Sequence, residues 1–395
     1  MRHARSFERM ISRIRGLVLL LVVALAAAAC TTTRLSFIPE VPAEHEGRRA
    51  ARFEAGEAGG SSQSHAHRTL DVYRSIETHR IARIARSFPE RVYVPNSGSN
   101  TVDVIDPATY KIVRHFRVGD VPHHVTPSWD MRRLYVDNTG GDSLTVIDPA
   151  TGRPVRKIHV RDPYNLYFTP DGSKAIVVAE RYRRLDFRAR RSWRLLKSVR
   201  IPSSGPDHLD FSAHGGFLLI SAEYSGRVYR VNTRKMKVTG RAKVGGLPVD
   251  VKLAPDGSVF YVANQGLDGV SVIDAHTLKP RRFIHTGFGA HGLCLSRDGR
   301  QLYVSNRLAG SISVISLSTR RVVHTWHVGG SPDMMQVSPD GRRLWFSNRF
   351  NGSVGVADTR TGKLLHTIRV GSDPHGLTYF PQPGRFSIGH NGVYR

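Results

Sequence analysis

Cysteine is almost missing from this chain: Cys30 and Cys294 are the only two in 395 residues. No Cys-x-x-Cys-His motif occurs, which excludes covalently attached c-type haem, and two cysteines cannot supply a disulfide framework. Acidic residues are scarce too, 32 against 58 basic ones, for a formal net charge of +26. Only one apolar run is long, residues 17–29, and nothing later approaches membrane-spanning length. Several enzyme signatures are also lacking: there is no Gly-x-Ser-x-Gly, no His-Glu-x-x-His and no Gly-rich phosphate loop ahead of a helix.

The start of the chain reads as a targeting segment. Arg2, Arg5, Arg9, Arg13 and Arg15 precede the thirteen apolar residues 17–29, and small residues lead directly into Cys30. This resembles a bacterial lipobox, with Ala27 where a leucine is usual, and implies that Cys30 is lipidated; plain cleavage and a retained anchor are the alternatives. The expected divisions are a signal peptide over 1–29, a flexible tether over 30–66, a lead-in over 67–90 and a folded body over 91–395. Localisation follows: an exported lipoprotein facing the periplasm or the cell exterior. Thr31, in place of an aspartate, favours the outer membrane. For an exported protein the excess positive charge points to anionic lipid or a cell-envelope polymer rather than to nucleic acid.

The body repeats itself. Arg91-Val-Tyr-Val-Pro-Asn96 recurs as Leu134-Tyr-Val-Asp-Asn138, Phe260-Tyr-Val-Ala-Asn264, Leu302-Tyr-Val-Ser-Asn306 and Leu344-Trp-Phe-Ser-Asn348, at spacings of 42 residues or a multiple of 42. Val177-Val-Ala-Glu180 and Leu219-Ile-Ser-Ala222 fill the gap. Each unit continues with a strand ending in Asp (Thr101-Val-Asp-Val-Ile-Asp106), a third strand leading to Val-Gly, and a fourth closing on an Asp-Gly turn such as Pro170-Asp-Gly172. Four short antiparallel strands per unit make a propeller blade. The expected fold is an all-β, seven-bladed β-propeller, monomeric, whose ring closes when residues 375–380 pair with the first strand. The segment Phe386-Ser-Ile-Gly-His390 begins the pattern again, so eight blades are the alternative.

The Tyr-Val-x-Asn strand followed by Val-x-Val-Ile-Asp resembles the YVTN-repeat, YncE-like β-propellers of bacterial exported proteins, over residues 91–384. The resemblance implies the fold and says little of function. Similar rings occur in nitrous oxide reductase, in the haem domain of a dissimilatory nitrite reductase and in lactonases.

Inner strands line a propeller's channel, so equivalent residues gather at one mouth. After the anchors Pro122, Pro163, Pro206, Pro248, Ala290, Pro332 and Pro374 come His123, Tyr164, Asp207, Val249, His291, Asp333 and His375. One place further are His124, Asn165, His208, Asp250, Gly292, Met334 and Gly376. This gives a candidate ligand-binding mouth of His123, His124, Tyr164, Asp207, His208, His291, Asp333 and His375. Strand alternation predicts that His123 and His124 face opposite ways, leaving His123, His291 and His375 as the metal candidates. Imidazole with carboxylate suits zinc, copper or non-haem iron, and histidine also serves as an axial haem ligand. The aspartates of the Asp-Gly turns and the strand-ending asparagines read as turn and capping residues.

One stretch departs from the pattern: Arg181, Arg183, Arg184, Arg188, Arg190, Arg191 and Trp193 belong to a run with nine basic residues and a single acid, Asp186. Its composition suggests a peripheral patch for anionic surfaces. The favoured function is a tethered binding scaffold for a protein, peptide or small molecule. A metal- or haem-dependent oxidoreductase or cofactor-handling protein is the alternative, and a lactonase-like hydrolase a weaker one, because that chemistry needs a metal ringed by acids and amides.

Overall fold

The computed structural model describes residues 71–77 and 80–395; the expected signal peptide, Cys30 and the tether lie outside these. The middle strands of the blades are buried along most of their length, and completely in Val259–Asn264 and Gly269–Asp274. Their continuous Val/Ile/Tyr character follows, since neighbouring blades cover both faces of each sheet. Outermost strands have no such cover, and Lys111–Arg117 is charged and largely exposed.

Seven sheets result, and five of them are four strands running from channel to rim in chain order. The second blade is typical: Pro122–Pro127 innermost, then Leu134–Asn138, Ser143–Asp148 and Arg153–His159. The antiparallel path puts the Asp-Gly turns on one face of the ring and the asparagine-ended strands on the other, which is also where each inner strand starts. Gly172 shows why these turns need glycine: its φ is +66°, and an added Cβ would sit 2.6 Å from the Trp129 ring. The strand-ending asparagines are buried fasteners. Asn138 Oδ1 accepts the Gly119 N–H (3.1 Å), while its Nδ2 donates to Thr145 Oγ1 (3.0 Å).

The ring closes as expected. Thr378–Phe380 is the innermost strand of the first blade and pairs antiparallel with Arg91–Tyr93. Among the described residues there is no eighth blade. Instead Ser387–Gly389 and Val393–Tyr394 form a hairpin joined to the inner edge of the third blade through Gly389 and Tyr167, making that sheet six-stranded. A hairpin there lies within the channel; besides His390 N–H to Leu166 O of the third blade (2.7 Å), its bonds reach other blades, Arg395 Nη2 to Asp210 Oδ1 (2.8 Å) and Gln336 Nε2 to Gly392 O (2.9 Å). The lead-in segment crosses the opposite, Asp-Gly face, where Val72 N–H donates to Pro255 O and Tyr73 Oη to Asp210 Oδ2, both at 2.8 Å. Between hairpin and blades remains a cavity of about 60 Å³ bordered by Tyr73, Lys252, Cys294, Arg297 and Tyr394. Such a space holds a few waters.

Candidate functional site

At five of the seven anchors the next position opens a β-bulge. Pro122 pairs with Asn138, but Val125 pairs with Val136, so His123 and His124 share the extra place in the ladder. Similar shifts follow Pro206, Pro248, Ala290 and Pro332. A bulge suspends strand alternation. The expectation that His123 and His124 diverge is therefore overturned: their rings lie 5.9 Å apart, and both approach His375, at 4.6 and 4.8 Å between centroids.

The eight candidate residues all meet at one mouth. His123 contacts Tyr164 (4.8 Å) and accepts or donates to Thr139 Oγ1 through Nδ1 (2.9 Å). His208 lies 5.5 Å from His124 and 6.3 Å from His291, and His291 lies 6.0 Å from His375. Asp207 Oδ1 is 2.6 Å from His208 Nδ1, and Asp333 Oδ1 is 2.7 Å from His291 Nδ1. The predicted metal trio is not the one the geometry groups. His291 and His375 are joined by Asp333, with one ligand atom from each within 4.8 Å of the others, while His124, His208 and His390 form a second such group. His123 belongs to neither, and its Nδ1 is engaged by Thr139.

Burial sets the protonation states. It pushes His123 down to about 3, and drives His124, His375 and His390 well below the ordinary imidazole range. His291 is lowered by burial and then by Arg307. His208 is the exception: burial would lower it, but the Asp207 carboxylate outweighs that and raises it. Asp333 stays ionised despite its burial, held down by Arg307 and His291. Apart from His208, the mouth thus presents neutral imidazoles, the form that ligates metals.

Six further residues of the mouth escaped the sequence reading: His390 and Asn391 of the hairpin, Glu180, Glu223, Arg307 and Arg349. Four of these carry a signal in the repeat, one place beyond the second strand, where the seven blades have Ser97, Thr139, Glu180, Glu223, Gln265, Arg307 and Arg349. Acids top the third and fourth blades and arginines the sixth and seventh. Around them stands a crown of exposed apolar side chains, among them Tyr224 (62%), Phe288 (59%), Leu308 (50%) and Phe350 (64%).

Part of the expected basic patch is tied down by internal ion pairs. Arg184 and Arg188 flank the buried Asp186 at 2.9 and 3.8 Å, Arg181 reaches Asp142 (3.2 Å), and Arg190 bonds Asp130 (3.2 Å) while lying over Trp129. Trp193 is buried against Tyr135. It is the repeat's ordinary turn residue: its N–H bonds Ala189 O just as Tyr110 N–H bonds Asp106 O, both at 2.8 Å and both with positive φ. Arg181, Arg183, Arg191, Arg194, Lys197 and Arg200 remain exposed.

Solved structures with the same architecture are distant in sequence. A putative 6-phosphogluconolactonase from Bacteroides fragilis superposes with a TM-score of 0.61 at 18% identity, over 75% of this chain and 99% of that one. The dihydro-haem d1 dehydrogenase NirN in complex with DHE gives 0.58 at 17%, over 76% of each. Hydrazine synthase of Kuenenia stuttgartiensis gives 0.57 at 18%, over 64% of this chain and 88% of that one. At such identities these likenesses speak for the fold alone. No curated protein matches the chain in sequence. Residues 74–383 match the YNCE-like beta-propeller family, and the chain belongs to it.

Proposed function

We propose that this propeller is an exported, membrane-tethered binding protein that holds a transition-metal ion among the histidines of its channel mouth. One observation carries the reading: buried polar atoms without hydrogen-bond partners are concentrated there. They include both ring nitrogens of His375, Nε2 of His124 and of His208, and Oδ2 of Asp207 and of Asp333. An unsatisfied buried group costs roughly 1–3 kcal/mol, more if charged. A cation that accepts imidazole lone pairs and neutralises carboxylates relieves several of these costs at once. Neutral imidazole with carboxylate is the donor set of zinc and copper sites.

Haem, which one structural relative binds in a modified form, does not fit these residues. Neighbouring rings stand 4.6–6.3 Å apart across the mouth, and the hairpin fills the channel beneath them. A flat macrocycle has no slot between them among the described residues. The basic start, the apolar run and Cys30 support export and lipid tethering. Elemental analysis of full-length protein, purified from envelope fractions without chelator, tests the reading. It predicts about one or more equivalents of zinc or copper per chain; a metal-free protein that also fails to bind zinc(II), copper(II) or cobalt(II) on titration contradicts it.

The apolar crown favours a second reading, a scaffold that docks a protein or peptide over the same mouth. Tyr224→Ser with Phe350→Ser would then reduce capture of envelope proteins by the immobilised propeller while leaving its metal content unchanged. Unchanged capture would remove that reading.

A further inference from the structure

We infer that the C-terminal hairpin is a ligand-bearing plug, and that its His390 completes with His124 and His208 a tris-imidazole site for zinc(II) or copper. This rests on the metal-binding reading above but locates the ion. The three rings come from separate parts of the chain: the bulge of the second blade, the inner strand of the fourth, and a hairpin that belongs to no blade. All three are buried, with one nitrogen of each within 4.8 Å of the others.

The arrangement behind these rings is what sets them apart. His124 Nδ1 lies 2.8 Å from Asn391 Oδ1, and His390 Nδ1 lies 3.0 Å from Asn165 Oδ1. An amide oxygen only accepts, so both Nδ1 atoms carry the hydrogen and both Nε2 atoms present lone pairs. His208 Nδ1 faces the Asp207 carboxylate, leaving its Nε2 free. Ligating histidines characteristically give their second nitrogen to a carbonyl or carboxylate in this way, which fixes tautomer and ring orientation. His124 Nε2 and His208 Nε2 are buried without partners, and the nearest group to His390 Nε2 is Asn391 Nδ2 at a long 3.4 Å. Three imidazole ligands with one open position is a familiar zinc geometry, with Zn–N near ~2.0–2.1 Å. Asp207, buried with its Oδ2 unpaired, supplies a negative charge beside the ion.

The rival group of His291, Asp333 and His375 is occupied by the protein itself. Arg307 Nη2 lies 2.8 Å from Asp333 Oδ1 and touches His291 Nε2. A cation entering there meets a guanidinium on two of its three ligands. No such cation blocks the tris-imidazole group. The hairpin's role is double, since it brings one ligand, His390, and through Asn391 orients another.

Cobalt(II) titration of the full-length chain, followed by visible absorbance, tests this. His390 has φ +51°, a conformation that asparagine tolerates, so His390→Asn removes the ligand with little backbone cost. Far-UV circular dichroism and a cooperative melt establish that each variant folds. The wild type is expected to show the intense bands of a four-coordinate ion. His390→Asn should lose these bands and weaken affinity about 100-fold or more, Asn391→Ala should weaken it by about 10–100-fold, and His375→Ala should retain both bands and affinity. If His390→Asn does not fold, the contrast between Asn391→Ala and His375→Ala decides. Loss of binding in His375→Ala with His390→Asn and Asn391→Ala unaffected would overturn the inference and leave the metal reading standing. Wild-type binding that no variant alters would likewise overturn it. A wild type that binds no cobalt, zinc or copper would remove both.

Discussion

Glu180 and Glu223 sit at equivalent places on neighbouring blades, facing Asp207 at the channel mouth. Burial first, and then the Asp207 charge, push each carboxyl up from an ordinary 4.5 to about 7. Arg181 and Arg307 offset only part of this. Because the folded value lies above the unfolded one, the unfolded chain gives up these protons sooner. The carboxyls therefore cost no stability below about pH 4.5, cost progressively more as pH rises towards 7, and cost the full amount above it. At 1.36 kcal/mol per pKa unit, such a rise corresponds to ~3 kcal/mol per group. Both side chains keep some solvent contact, and screening reduces this to ~1–2 kcal/mol each. The double variant Glu180→Gln, Glu223→Gln, which keeps the shape and removes the charge, should thus be about 2–3 kcal/mol more stable than wild type at pH 8 and equal to it at pH 4.5. Urea unfolding in chelator-containing buffer at the two pH values measures the difference. An equal effect at both pH values, or a destabilised variant at pH 8, would refute the electrostatic account of the mouth.

Other consequences are open to simpler assays. Ending the chain at Gly384 keeps the closing strand but removes the buried Ile388 and Tyr394, worth about 1.5–3 kcal/mol each; this variant should stay monomeric on gel filtration and melt earlier. Ending it at Asp373 instead removes Thr378–Phe380, opens the ring to two bare sheet edges, and should yield aggregates or a non-cooperative melt. Cys30→Ser should release the protein from membranes or leave it unprocessed, and unchanged fractionation and intact mass would count against lipidation.

The fold was readable because a 42-residue period and an asparagine at each second-strand tip survive in five of seven blades. The same period collected His123, Tyr164, Asp207, His291, Asp333 and His375 at one mouth before any coordinates. Two things lay beyond it. Alternation misplaced His124 because the bulge after Pro122 inserts one residue into the ladder, and bulges leave no mark in hydrophobic pattern. His390 was out of reach because the hairpin lies outside the repeat: its Phe-Ser-Ile-Gly echo of a strand is real, yet it pairs with the third blade rather than starting an eighth. The basic run is divided: Asp186 and Asp130 hold Arg184, Arg188 and Arg190, Trp193 fills the repeat's usual turn position, and the remaining basic residues are exposed.

The central claim is that histidines at the channel mouth ligate a metal. X-ray absorption at the metal edge of the zinc- or copper-loaded protein tests it most directly. The account predicts a shell of about three nitrogens near ~2.0–2.1 Å, with the outer-shell scattering of imidazole rings. A shell of oxygens alone, without imidazole scattering, would place the metal elsewhere and contradict it.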